Sequence, residues 1–115
     1  MEFSTSLKLN HIFRRLYHTS GYADGYLVLY VRKNRTDGNR VGITVGKKLG
    51  KAVVRNKVRR RLREIYRLNE GRFCRGYDLV VVARTAAVDA SYGQLQDAYL
   101  SLAARLGVLQ QEDKP

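Results

Sequence analysis

The segment "YDLVVVAR", Tyr77 to Arg84, is the feature that most constrains the fold of this chain. Side chains alternate between the two faces of a β-strand, so a strand formed by this segment is apolar on both faces. Such a strand needs cover on both sides. The chain has 115 residues, which suits one domain with a single core around this strand.

Two further strands and three helices follow from hydrophobic periodicity. The turn residues "NRTDGN", 34–39, with Asp37-Gly38 as a hairpin signal, predict that the two strands pair as a hairpin. The order helix, hairpin, helix, strand, helix predicts an α+β fold, an α-β sandwich with a small mixed sheet and about three helices. Residues 1–115 form one domain, with 108–115 as a flexible tail. The predicted helices are Leu9–Thr19, Ala52–Leu68 and Ser91–Leu106, and the strands are Tyr26–Lys33 and Arg40–Lys47.

Positive charge is concentrated in one segment of the chain. The net charge is +12, and the segment from Lys47 to Arg67 alone carries +9. A local excess of this size indicates a polyanionic partner.

The helix over Ala52–Leu68 separates its apolar and basic residues. At about 100° per residue, Val54, Val58, Leu62 and Ile65 fall within an arc of about 80° that faces the core. The opposite side carries a basic ridge. Its i,i+4 pairs Arg59–Arg63 and Arg63–Arg67 place like charges together and repel, so an ordinary solvated helix face is disfavoured. Arginine dominates, which suits bidentate phosphate contacts. The ridge consists of Asn56, Arg59, Arg60, Arg63 and Arg67.

An aromatic surface is the second candidate site. Tyr26 and Tyr30 share one predicted strand face, beside the small residues Gly42 and Thr44 of the returning strand. An aromatic floor next to an arginine ridge is typical of proteins that bind single-stranded nucleic acid. Phe13 and Tyr17, one turn apart on the first helix, suit core packing and this surface about equally well.

Catalytic and metal-binding patterns are scarce. His11 and His18 lie about 10 Å apart along a helix, too far to share a metal, and no His, Cys, Asp and Glu cluster has metal-ligand spacing. The single cysteine, Cys74, excludes an internal disulfide. The sequence shows neither a signal peptide nor an apolar run long enough for a membrane span. We therefore expect a cytoplasmic binding protein without an organic cofactor, a membrane association or an obligate protein partner.

The segment "RVGITVGKKLGKAVVRNKVRRRLREIYR", Arg40 to Arg67, resembles the protein subunit of bacterial ribonuclease P. It is similar to that family's strand, its lysine-rich lead-in and its RNR-centred helix. "LKLNHIFRRLYHTSG", "YLVLYV", "DLVVVAR" and "SYGQLQDAYLSLAARLG" support the match, which covers about residues 7–107. The order and spacing of these segments make the resemblance specific.

The resemblance implies a role in tRNA processing. In this family the protein binds the catalytic RNA and the 5′ leader of precursor tRNA, the RNA carries the active site, and the RNA holds most of the Mg²⁺. The family also implies a left-handed crossover between parallel strands, against the usual rule. Lys57 departs from the family's second arginine and loses the bidentate fork. A weak or water-mediated metal contact near Asn56 is a further hypothesis.

Two groups of site residues follow from the residue patterns and the resemblance together. The RNA-binding group is Lys47, Lys48, Lys51, Arg55, Asn56, Lys57, Arg59, Arg60, Arg63 and Arg67. The leader-cleft group is Phe13, Tyr17, Tyr26, Tyr30 and Thr44.

The alternative function is that of a ribosomal or other structural RNA-binding protein without a processing role. A leader cleft distinguishes the two, because it predicts an affinity for tRNA that rises with a 5′ extension. A protein-only nuclease is disfavoured by the missing carboxylate cluster, and a DNA-reading helix by a ridge that suits phosphates better than base edges.

Overall fold

The apolar segment Tyr77–Ala83 is the central strand of the sheet in the computed structural model, which describes residues 2–7 and 21–110. Leu79, Val80 and Val81 are fully buried, so the prediction of a strand covered on both sides is confirmed. The described strands are β1 (Ser4–Ser6), β2 (Gly21–Ala23), β3 (Leu27–Lys33), β4 (Asn39–Thr44) and β5 (Tyr77–Ala83), in the sheet order β1-β4-β5-β3-β2.

The predicted hairpin is wrong. β5 lies between β3 and β4, antiparallel to β3 and parallel to β4. A strand that is apolar on both faces is best buried at the centre of a sheet, and β5 takes that place. Residues 34–38 instead pass over the N-terminal end of β5 and connect β3 to β4 on its other side. The Asn34 N–H donates to the Gly76 carbonyl at 2.9 Å, and the Asn34 side chain donates to the carbonyl of Gly38 at 2.9 Å.

Two of the three predicted helices lie within the described residues and are confirmed. Helix α1, Ala52–Asn69, connects the parallel strands β4 and β5. Helix α2, Tyr92–Arg105, begins at Ser91, whose hydroxyl accepts from the Gln94 N–H while the Gln94 side chain accepts from the Ser91 N–H. The predicted helix over Leu9–Thr19 falls outside the described residues, and the left-handed crossover stays a prediction.

The core lies between the sheet and these two helices. Val58, Leu62 and Ile65 of α1 are buried as the helical spacing predicts. They pack in one cluster with the inward residues of β3, whose alternation is also confirmed. A second cluster, formed by Leu7 and Val80 with the half-buried Tyr30 and Val82, lies on the other face of the sheet.

The packed structure continues past the end of α2. Val108 is buried, and its carbonyl accepts from the Cys74 N–H at 2.7 Å. The Gln110 N–H donates to the Arg72 carbonyl at 2.7 Å. Residues 108–110, which the sequence analysis assigned to the tail, are therefore held by backbone hydrogen bonds to residues 72–74.

Candidate nucleic-acid interface

The basic ridge lies on the solvent side of α1. Arg60, Arg63 and Arg67 are exposed, and Arg59 is half-buried. Asn56 orders the ridge, because its side-chain oxygen accepts from Nη1 of Arg59 at 2.9 Å.

The ridge is not uniformly free to bind an anion. Arg67 donates from Nε to Glu64 at 3.0 Å and forms an ion pair with it, and this contact lowers the pKa of Glu64. Within the described part of the chain, Arg60 and Arg63 have no hydrogen-bond or ion-pair partner. These two arginines are therefore the ridge residues with the most donors available for phosphates.

The lysine-rich lead-in brings further cations to the start of α1. Lys47, Lys48 and Lys51 are exposed, the first two in a short 3-10 turn. That turn ends at Gly50, whose φ of 132° favours glycine. The chain then enters α1 without a side-chain cap and without an acidic residue in the first turn. The positive end of the helix dipole is thus left for an anion to neutralise.

Arg55 and Lys57 complete the predicted RNA-binding group. Arg55 is half-buried and donates from Nε to the Gly50 carbonyl at 3.2 Å, which ties the first turn of α1 to the lead-in. Lys57 is exposed.

Other arginines are used inside the fold. Arg40 makes a bidentate pair with the buried Asp78, at 2.8 Å from Nε to Oδ1 and 2.6 Å from Nη2 to Oδ2, and this bond raises the pKa of Arg40. Arg61 donates to the Ala90 carbonyl at 3.1 Å, and Arg84 to the Asp24 carbonyl at 2.8 Å. Their charges stabilise contacts within the protein.

The aromatic site is organised around Tyr30 on the second face of the sheet. Strand register places Gly42, Val80, Tyr30 and Gly21 in one row across β4, β5, β3 and β2. A β-carbon on Gly21 would lie 2.6 Å from Cδ1 of Tyr30, so the ring lies over this glycine. Since β5 separates β3 from β4, Tyr30 lies about 10 Å from Gly42, two strand spacings away.

Tyr26 does not extend this row. Tyr26 precedes β3 and packs against the larger core cluster, so the predicted shared face with Tyr30 is wrong. Its N–H bonds to the Asp24 carboxylate at 2.8 Å, and this turn interrupts the strand alternation before Leu27. Phe13 and Tyr17 lie outside the described residues.

Thr44 ends β4, and Lys48 lies in the 3-10 turn that follows it. They line a cavity of about 380 Å³ that is also bordered by Gly46, Val82 and Arg84. The lysine-rich lead-in and the end of the sheet therefore border the same cavity. Arg84 was not among the predicted site residues, and its place here depends on the parallel pairing of β4 with β5.

A separate cleft lies between the ridge and the edge of the sheet. We call it the Arg59–Arg63 cleft; it encloses about 200 Å³. Sequence reasoning missed its floor, because the floor depends on β1 pairing with β4, and the short polar segment Ser4–Ser6 gives no strand signal. Its described lining residues are Ser6, Leu7, Val41, Gly42, Ile43, Arg59, Arg63 and Tyr66.

A buried polar network holds β1 in place beside this cleft. The Tyr66 hydroxyl is 2.6 Å from the Ser4 hydroxyl and accepts from the Asn39 side chain at 3.1 Å. The Glu70 carboxylate accepts from the N–H groups of Glu2 at 2.6 Å and Phe3 at 3.3 Å. Burial alone would raise the pKa of Glu70, but the hydrogen bonds from Ser4 and these N–H groups outweigh it and lower the pKa.

The described residues contain no group of three or more His, Cys, Asp or Glu side chains placed to hold a metal ion. The metal hypothesis at Asn56 fits poorly, because its side-chain oxygen faces the Arg59 guanidinium. None of the helices among residues 2–7 and 21–110 has the length and apolar character needed to cross a membrane.

Comparisons with known proteins agree with this architecture. The Ribonuclease P family profile matches residues 1–107. The chain belongs to the ribonuclease P protein family. The family's members are protein components of ribonuclease P, an RNA-processing endoribonuclease, and they function with its RNA.

Individual relatives cover nearly the whole chain. It is 43% identical to the ribonuclease P protein component of Natranaerobius thermophilus over 91% of this chain and 92% of that protein. It is 41% identical to that of Clostridioides difficile, over 94% and 98%. The solved RNase P protein of Staphylococcus aureus superimposes with a TM-score of 0.83 at 33% identity, covering 91% of this chain and 97% of that one. That of Thermotoga maritima gives 0.80 at 33%, covering 87% and 96%.

Proposed function

We propose that this chain is the protein subunit of a ribonuclease P ribonucleoprotein and aids removal of the 5′ leader from precursor tRNA. The observation that carries the proposal is the pair of exposed arginines on α1, Arg60 and Arg63, which lack partners among the described residues. They lie about 12 and 16 Å along the helix from its uncapped start. In this proposal the basic ridge and the lead-in bind phosphates of the catalytic RNA.

The second face of the sheet is proposed as the leader-binding surface. Tyr30 presents a half-buried ring, and Thr44 and Lys48 border a cavity at the end of β4. A ring on which one base stacks, together with a lysine near the end of β4 that neutralises a phosphate, suits single-stranded RNA of any sequence.

The catalytic chemistry is proposed to lie in the RNA. The described residues offer no cluster for metal-dependent hydrolysis. Mg²⁺ held by RNA phosphates would supply activation of the attacking water. The cationic segment lowers the repulsion between the two RNAs, a task that Mg²⁺ otherwise performs by screening.

The test is cleavage of precursor tRNA by protein alone, RNA alone and both together, across a magnesium titration. We expect no cleavage by RNA-free protein and a protein effect that is largest at low magnesium. Metal-dependent cleavage by RNA-free protein would contradict the proposal, as would a protein effect that is equal at low and high magnesium.

A further inference from the structure

We infer that the Arg59–Arg63 cleft receives one unstacked nucleotide of the catalytic RNA, with its base in the cleft and its phosphate on the two arginines. This inference rests on the proposed function and specifies how the ridge binds the catalytic RNA. The cleft would make the ridge a reader of RNA shape as well as a phosphate-binding surface.

The size of the cleft suits a single base. Its 200 Å³ is smaller than the roughly 300–1,000 Å³ of pockets that hold drug-sized ligands. Leu7 and Val41 are buried at its floor, and Ile43 is half-buried. Gly42 lines it without adding a side chain. A base gains apolar contacts with these residues, whereas a bare phosphate would gain nothing from them.

The charge of the cleft suits the nucleotide's phosphate. Arg59 and Arg63 are four residues apart on α1, so their side chains leave the helix as neighbours about 5–6 Å apart. Asn56 holds Arg59 in place, while Arg63 has no partner among the described residues. No carboxylate is among the cleft's described lining residues, and Ser6 adds a hydroxyl. Guanidinium groups bind phosphate through a fork or stack on a base with their planar face.

The position of the cleft favours the catalytic RNA over the leader as the source. The two arginines belong to the ridge and to the cleft at once, so an RNA that lies on the ridge passes over the cleft's opening. Tyr30 is on β3, separated from β4 by β5. A leader stacked on Tyr30 therefore lies about 10 Å from Gly42 of the cleft, across the intervening strand β5. Paired bases inside an RNA helix cannot enter, so the nucleotide must be unpaired.

The test fills the cleft without changing its charge. Ser6 and Thr5 are both exposed and adjacent in β1, but Ser6 lines the cleft and Thr5 is absent from its described lining. Ser6→Phe and Thr5→Phe are therefore matched variants of the full chain. Each is titrated with ribonuclease P RNA, with leader-bearing tRNA and with mature tRNA over a range of salt concentrations, after thermal unfolding has verified its fold.

We expect Ser6→Phe to weaken binding of ribonuclease P RNA about tenfold at every salt concentration, the size of one lost base contact. Thr5→Phe should change it less than twofold. The preference for leader-bearing over mature tRNA should stay unchanged in both. Equal RNA affinity of the two variants overturns the inference, and so does a loss confined to leader-bearing tRNA. If the native chain itself does not bind ribonuclease P RNA, the proposed function fails first.

A cross-linking measurement serves if Ser6→Phe disturbs β1. A benzophenone is attached to Ser6→Cys or Thr5→Cys in a Cys74→Ser background, and the complex with ribonuclease P RNA is irradiated. The probe at residue 6 should label one unpaired nucleotide that the probe at residue 5 does not label. Labelling of the same positions by both probes, or of paired nucleotides only, overturns the inference.

Discussion

Arg40 and Arg63 carry the same charge and have opposite surroundings. Arg40 forms a bidentate ion pair with Asp78. The Asp78 side chain is 4% exposed and the Arg40 side chain is 38% exposed. Arg63 is exposed on α1 and has no partner among the described residues. The fold uses the first cation to neutralise a buried carboxylate and leaves the second available. The net charge therefore indicates that a polyanion binds. The cations that lack an ion-pair partner within the protein indicate the part of the surface to which it binds.

Removing the paired cation should produce the largest effect. Arg40→Ala leaves the buried Asp78 carboxylate with the Asn34 side chain, at 3.1 Å, as its remaining side-chain donor among the described residues. We expect a loss of about 2–4 kcal/mol in the free energy of unfolding, near the low end for a broken buried pair because water reaches the site. Urea unfolding measures the loss. A loss below about 0.5 kcal/mol, the scale of ordinary surface changes, would remove the distinction between the two arginines.

The second prediction concerns the other candidate surface. Tyr30→Ala should weaken binding of leader-bearing tRNA by about 1–3 kcal/mol, because one stacking platform is lost. Mature tRNA should be bound almost as before. Val28→Ala, on the same strand and also half-buried, is the matched control. Equal losses for both tRNAs would show that Tyr30 does not bind the leader.

The third prediction extends the comparison of paired and unpaired charges to a buried anion, Glu70. Glu70 is 5% exposed and accepts from two N–H groups of the segment that leads into β1. Glu70→Gln should lower the free energy of unfolding at pH 7 by about 1–2 kcal/mol, since one acceptor oxygen becomes a donor facing an N–H group.

The pH dependence of that loss follows from the lowered pKa of Glu70. Such a group stabilises the fold fully above the ordinary glutamate pKa of about 4.3, and the contribution is lost as the pH falls through the lowered folded value. The difference between native chain and variant should therefore be constant above about pH 5 and shrink below it. A difference that grows on acidification would contradict the assignment.

The smallest change in stability is expected at the ridge. Arg63→Ala should alter the free energy of unfolding by less than about 0.5 kcal/mol. It should flatten the log–log salt dependence of RNA affinity by about 0.7–0.9 of a unit, the value for one phosphate contact. Salt titrations of Arg63→Ala and Arg40→Ala side by side test this. An unchanged slope for Arg63→Ala would contradict a phosphate contact there.

Local patterns predicted the elements that depend on local physics. The spacing of Val58, Leu62 and Ile65 predicted both the helix and its buried side, since a helix repeats every 3.6 residues whatever it packs against. The capping residue Ser91 and the alternation in β3 were predictable for the same reason. The charged side of α1 followed directly, because the side opposite a buried stripe faces solvent.

The tertiary structure decided which segments became neighbours. Asp37-Gly38 carries hairpin chemistry, yet β5 takes the place between β3 and β4, since burying its two apolar faces outweighs a local turn preference. That insertion put Tyr30 two strands from Gly42. It also brought Val82 and Arg84 to the cavity that Thr44 and Lys48 line. The docking of β1 through Ser4, Tyr66 and Glu70 formed the Arg59–Arg63 cleft. The sequence by itself determined the two described helices, the buried strand and the cationic segment, because each rests on contacts within a few residues. Strand order and the two cavities rest on contacts between distant segments, where only the global balance of burial decides the outcome.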